Sequence, residues 1–135
     1  MNINPYLTFP GTCEEAMNFY KECFNSEITG MHYFENSPMQ VSESDKKKVM
    51  HASVKIGDGH LMASDAGPDH PLTIGSNISI SVNMDDTDIM HTVFNKLGAG
   101  GMITFPIQDT FWGAKFGMLT DKFGINWMFN SEHKK

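Results

Sequence analysis

The alternation of strand-like and helix-like stretches in this chain occurs twice, and that internal repeat limits its possible folds more than any other feature. A β-rich run at residues 4–9 is closed by Pro10-Gly11. Thr12-Cys13-Glu14-Glu15 then fits a capping box, with a Thr hydroxyl at the N-cap and a Glu three residues on. Ala16, Met17, Phe19, Tyr20, Cys23 and Phe24 recur at helical spacing, and Asn25 is a natural stop. A strand is expected at 28–34. Residues 35–48 carry Pro38, serines and mixed charges and read as a mobile loop. Strands at 49–56 and 60–64 follow, joined by the hairpin signal Gly57-Asp58-Gly59.

After a Gly- and Pro-rich linker at 66–76, containing Gly67, Pro68 and Pro71, the order begins again. Ile78, Ile80 and Val82 alternate with Ser79, Ser81 and Asn83, the period of a half-buried strand at 77–83. Asp85-Asp86-Thr87-Asp88 supplies caps and negative charge for a second helix. Its apolar face is Ile89, Met90, Val93, Phe94 and Leu97, with Gly98 expected just past its end. Strands are expected at 101–106, 116–120 and 125–129. The reading is one α+β domain over residues 1–135, built of two tandem βαβββ modules at about 1–66 and 77–130. One helix covers one face of a four-stranded sheet, so pairing the two curved sheets would enclose a cavity.

Acidic residues outnumber Lys and Arg by 16 to 10, for a net charge of −6. That balance argues against nucleic acid as a partner, because phosphate binding needs clustered cations. The basic runs Lys46-Lys47-Lys48 and Lys134-Lys135 are short and read as solvated. Cys13 and Cys23 fall in one expected helix, separated by about 15 Å of rise, and cannot pair with each other there. No apolar run approaches the roughly 20 residues that span a bilayer, so no membrane partner is expected and the cytoplasm is the expected location.

Several motifs together carry a resemblance. They are Pro5-Tyr6-Leu7-x-Phe9, Glu14-Glu15-Ala16-x-x-Phe19-Tyr20, His51-Ala52 and Leu61-Met62-x-Ser64-Asp65. Near the end come Gln108-x-x-Phe111-Trp112-Gly113-x-x-Phe116-Gly117 and Thr120-Asp121-x-Phe123-Gly124-x-x-Trp127. Over nearly its whole length the chain resembles the vicinal oxygen chelate superfamily (glyoxalase I, bleomycin-resistance proteins, extradiol dioxygenases), in its PhnB-like branch. Some PhnB-like proteins have a name tied to ubiquinone methylation. The chain lacks a glycine-rich strand-to-helix turn for a methyl-donor nucleotide, which speaks against that activity.

The resemblance implies positions for a divalent ion held by strands of both modules. Matched residue by residue, they fall at Pro5 or Tyr6, at Ala63 or Ser64, at Ser79, and at Met128, where a metal-binding relative has Glu. An imino acid, hydroxyls and a thioether suit a hard or borderline dication poorly. No metal or other cofactor is therefore expected, the exception being a displaced divalent site using His51, Asp65 or His60. The resemblance also implies a homodimer.

His51 and Asp65 are the candidate catalytic pair: His51 as general base or anchor, Asp65 orienting it. Alternatively His51 is structural and Asp65 caps the turn that follows it. Gln108, Phe111, Trp112 and Trp127 are candidate pocket residues, since aromatic walls suit flat or apolar ligands; core filling is the alternative for the aromatics. Asp121 and Gly124 read as turn chemistry. Met62, Met118 and Met128 fall on expected inner strands, whereas His32, His70, His91 and His133 have no ligand spacing. The expected function is binding of a small, partly aromatic or apolar molecule. The alternative is a lyase, isomerase or dioxygenase relative using His51 and Asp65, with or without a metal.

Overall fold

The same chain path is traced twice. The computed structural model describes residues 1–67 and 70–132. In its first half β1 (Tyr6–Phe9) leads through α1 (Cys13–Phe24) to β2 (Glu27–Tyr33), β3 (Val49–Ile56) and β4 (Gly59–Asp65). The second half has β5 (Ile80–Asn83), α2 (Thr87–Gly98), β6 (Met102–Asp109), β7 (Ala114–Thr120) and β8 (Asn126–Glu132). The sheet orders are β1-β4-β3-β2 and β5-β8-β7-β6. In each sheet the first strand runs parallel to the last, and the other pairs are antiparallel. Two compact units result, with their boundary between Thr73 and Ile74, inside the expected linker. The α+β class and the two βαβββ modules are as the repeat predicts. Pro68, His133, Lys134 and Lys135 lie outside the described residues.

Strand alternation sorts each sheet into a helix-covered face and an open face. In the first unit Phe9, Ala52, Val54, Leu61 and Ala63 are buried with Ala16, Met17 and Tyr20 of α1. Full burial of a side chain as large as Phe9 or Met17 is worth about 1.5–3 kcal/mol. In the second unit Leu119, Trp127 and Phe129 are buried with Met90, Phe94 and Leu97 of α2. Gly117 permits this approach: a Cβ there would lie 2.8 Å from Ile107 Cγ1 and 3.0 Å from Phe94 Cε2. Phe94 then meets Phe129 edge-on, with ring centroids 5.5 Å apart.

The two helices begin differently. Asp86 caps α2 locally, its carboxylate accepting from Asp88 N–H (3.0 Å) and Ile89 N–H (3.1 Å). The expected box at Thr12 does not form, because Thr12 makes no side-chain cap. Asp65, at the end of β4, takes its place. Its Oδ1 accepts from Gly11 N–H (3.0 Å) and Cys13 N–H (2.9 Å), and its Oδ2 from Val49 N–H (2.9 Å). A buried charge this well bonded also complements the positive end of the α1 dipole.

Residues 35–48 are more ordered than their composition predicts. Single 3-10 turns form at Phe34–Asn36 and Glu43–Asp45. Phe34 N–H and Glu35 N–H donate to the carbonyls of Lys48 and Lys46 at 3.0 Å, and Phe34 is buried. Lys48 pairs with Asp45 (2.7 Å) and Lys46 with Glu43 (2.6 Å), so this basic run is partly paired. Asn25 ends α1 in the left-handed conformation at φ 50°, as expected. Gly98 is the last residue of α2 rather than the one beyond it; the left-handed residue is Gly100 at φ 78°. β5 is shorter than expected, and β6 runs on through Pro106 to Asp109. As an edge strand, β6 tolerates a proline.

Because Asp65 accepts from three backbone donors, Asp65→Asn is expected to cost about 3 kcal/mol in urea unfolding. Asp86→Ala, which removes an exposed local cap, should cost about 1 kcal/mol. Equal losses would contradict the distinction.

Candidate functional site

The open face of the first unit is polar. Tyr6 and Thr8 of β1, Met62 and Ser64 of β4, and His51 and Ser53 of β3 share it, as the strand registers require. Tyr6 O–H and His51 Nδ1 share a 3.1 Å hydrogen bond, and their rings stack with centroids 5.7 Å apart. His32 is the β2 register partner of His51. The hydroxyls of Thr29 and Ser53 are bonded at 2.5 Å.

The open face of the second unit is aromatic and thioether-rich. Register places Phe105, Met118, Met128 and Ser81 in one row across the four strands. The adjoining row is Gln108, Phe116, Asn130 and Asn83. Phe116 meets Phe105 and Trp112 edge-on at 5.8 and 6.3 Å, and Trp112 meets Phe111 at 5.0 Å. Phe111 and Trp112 lie in the β6–β7 turn, 98% and 57% exposed. Strand register brings two of these rings, Phe105 and Phe116, together with Gln108, and Trp112 and Phe111 join them from the turn.

The expected His51–Asp65 pair is not made. Asp65 is 4% exposed on the helix-covered side, with both oxygens bonded to backbone amides, whereas His51 stands on the open face. Tyr6 is the partner that orients His51; the sequence pointed to it as a first-strand residue and a possible metal position, not as a neighbour of His51. Trp127 is likewise removed from the pocket set. It is 1% exposed beneath α2, and its indole N–H donates to Asp121 Oδ2 at 2.9 Å. Alternation forces this: Trp127 neighbours Met128 in β8, and successive side chains point to opposite faces. Asp121 has the turn role expected of it, its Oδ1 accepting from Phe123 N–H (2.8 Å) and Ile125 N–H (3.1 Å).

The positions that the superfamily uses for metal resolve by face. Tyr6 and Ser64 are on the open side, whereas Ala63 is buried under α1. Ser79 precedes β5, and Met128 is flanked in its row by Met118 and Ser81. The donors at these positions are a phenol, two hydroxyls and a thioether, which do not fit a hard or borderline dication. Among the described residues no group of three His, Cys, Asp or Glu side chains is arranged to hold a metal ion. His60, on the open face at the start of β4, and His70 and His91 are all exposed.

Sequence reasoning missed a surface cleft of about 560 Å³, lined by Glu14, Glu15, Asn18, Tyr33, Glu35 and Lys47 with Gly11. Tyr33 donates its hydroxyl to Glu14, and this bond raises the phenol pKa. Beside it, Cys13 is fully buried. Desolvation first, then the charges of Asp65 and Glu14, push its thiol up to about 12. The thiol therefore stays protonated at every physiological pH, which removes it as a nucleophile. Cys13 is expected to resist alkylation in the native protein at pH 8 and to react once urea unfolds the chain. Trp127 should emit at short wavelength and resist iodide quenching, and Trp112 should do neither; Trp112→Phe therefore removes the quenchable fraction.

Known proteins share this architecture. A Pseudomonas aeruginosa protein of known crystal structure, PA1353, is 40% identical with a TM-score of 0.91, covering 99% of each chain. The Bacillus cereus PhnB protein, whose name also carries 3-demethylubiquinone-9 3-methyltransferase, is 33% identical with a TM-score of 0.78, over 97% of this chain and 99% of that one. Protein YjdN of Escherichia coli (strain K12) is 30% identical over 96% of this chain and 95% of its own length. Residues 1–129 match the family described as 3-demethylubiquinone-9 3-methyltransferase. In fold alone the chain is also like the fosfomycin resistance protein FosX of Mesorhizobium loti and glyoxalase I of Zea mays. The chain belongs to the 3-demethylubiquinone-9 3-methyltransferase family, alongside the PhnB protein.

Proposed function

We propose that this protein binds a small, partly aromatic or apolar molecule, without the divalent ion of its metal-dependent relatives. The observation that carries the reading is the aromatic cluster on the open face of the second unit. Phe105, Phe116, Trp112 and Phe111 make successive edge-to-face contacts, yet Trp112 and Phe111 remain largely in water. Exposed rings at fixed angles offer a ready stacking surface at low ordering cost. Met118 and Met128 beside them supply a polarizable floor that adapts to ligand shape. Gln108, in register with Phe116, adds one donor and one acceptor for orientation.

The methyltransferase name of the family finds no support in these residues. Both sheets are mixed, and neither helix follows a glycine-rich turn that could cradle a nucleotide. A second reading is metal-free acid–base catalysis at His51, favoured by the Tyr6 hydrogen bond that fixes its ring. A homodimer is the expected assembly, supported by the exposed Met102, Ile103 and Phe105 along edge strand β6.

Flat apolar probes such as naphthalene derivatives should quench Trp112 fluorescence on binding. Trp112→Ala should weaken that binding about tenfold, in line with 1–1.5 kcal/mol for an aromatic contact. Stoichiometric zinc, nickel, manganese or iron in the purified protein, or undiminished binding by Trp112→Ala, would overturn the proposal.

A further inference from the structure

We propose that the open face of the first unit is a second recognition site, for the oxyanion of a small monocarboxylate, with His51 as its anchoring donor. This inference rests on the first unit alone and does not require the aromatic surface of the second.

The sorting of charge is the first observation. All three histidines of this sheet, His32, His51 and His60, are on the open face, with His32 opposite His51 and His60 opposite Lys55. The hydroxyls of Tyr6, Thr8, Ser53 and Ser64 share that face. The one carboxylate on it is Glu27, in register with Lys55 at the far end of the β2–β3 pair. In a chain of net charge −6, a face with six or more neutral or cationic donors and one remote acid is a marked departure.

Geometry gives the donors a direction. Tyr6 occupies Nδ1 of His51 and stacks on the ring, which holds the imidazole in one orientation and leaves Nε2 for a ligand. In the tautomer in which the Tyr6 hydroxyl donates to Nδ1, the ring proton is on Nε2 and offers an N–H to a ligand. On the neighbouring strand β2, Gly30 leaves a notch in the face. A Cβ there would lie 3.5 Å from Ser53 Oγ and 3.7 Å from His32 Nε2, so polar atoms border the space that a side chain would fill.

Charge selects the ligand class. Lys55 is the single permanent cation on the face, and Glu27 stands opposite it. Recognition therefore relies on hydrogen-bond donors more than on net charge, which suits a singly charged, planar carboxylate. A dianion would meet the repulsion of an acidic protein with little local compensation.

The test follows the side-chain imidazole nitrogens of the full chain by long-range proton–nitrogen NMR. Benzoate, benzamide and acetate are the probes. Benzoate should bind at least fivefold more tightly than benzamide and move the His51 and His32 signals, leaving His91 on α2 unmoved. Acetate, which has no ring, should move the same two signals at higher concentration; this separates the site from any aromatic surface. His51→Gln should weaken benzoate about tenfold and leave benzamide unchanged, and Tyr6→Phe should weaken benzoate about threefold. Equal binding of benzoate and benzamide, or shifts centred on His91, would overturn the proposal without any variant. So would undiminished benzoate binding by a folded His51→Gln protein. Loss of naphthalene binding in Trp112→Ala with these results intact would leave both sites standing.

Discussion

The buried carboxylate of Asp65 joins three segments that are distant in sequence: the Pro10–Thr12 turn, the start of β3 and the end of β4. One oxygen satisfies two amides at the first turn of α1, and the other satisfies the first amide of β3. Without it, the buried amides of Cys13 and Val49 would be left without partners, each costing about 1–3 kcal/mol, and the part-buried amide of Gly11 would lose its bond. The position of α1 on its sheet therefore depends on this acid, as does the fully buried Cys13 beside it. The second unit uses a different device in the equivalent half-shell. Asp86 caps α2 from an exposed position, while the buried Asp121 ties the β7–β8 turn to the Trp127 indole. Duplication kept the chain path and let the polar fastenings diverge.

Fixing the helices on one side of each sheet determines the chemistry of the other. With alternate residues committed to the core, the remaining ones define the open faces without further choice. The first unit is left with hydroxyls and imidazoles, and the second with rings and thioethers. Met128 belongs to the same pattern: its register neighbours are Met118 and Ser81, so the row is soft or neutral.

Much of the architecture was legible in local pattern. The αL stop at Asn25, the Asp86 cap, the Gly57-Asp58-Gly59 hairpin and the Asp121 turn are all interactions between residues close in sequence, and each has a composition signal. The failures share a cause. The Thr12 box lost to a carboxylate more than fifty residues away, and nothing near Thr12 records that competitor. The 35–48 stretch has a loop's composition, yet backbone bonds from Phe34 and Glu35 to the carbonyls of Lys48 and Lys46 fasten its base.

The sequence by itself determined the duplicated α+β fold and the family, because periodicity and residue identity are local quantities. Which face each side chain occupies was decided only by the tertiary structure. A strand's period of two leaves the choice of face open until a helix covers one side. That choice put Asp65 and Trp127 under the helices and left His51 and Tyr6 on the open face.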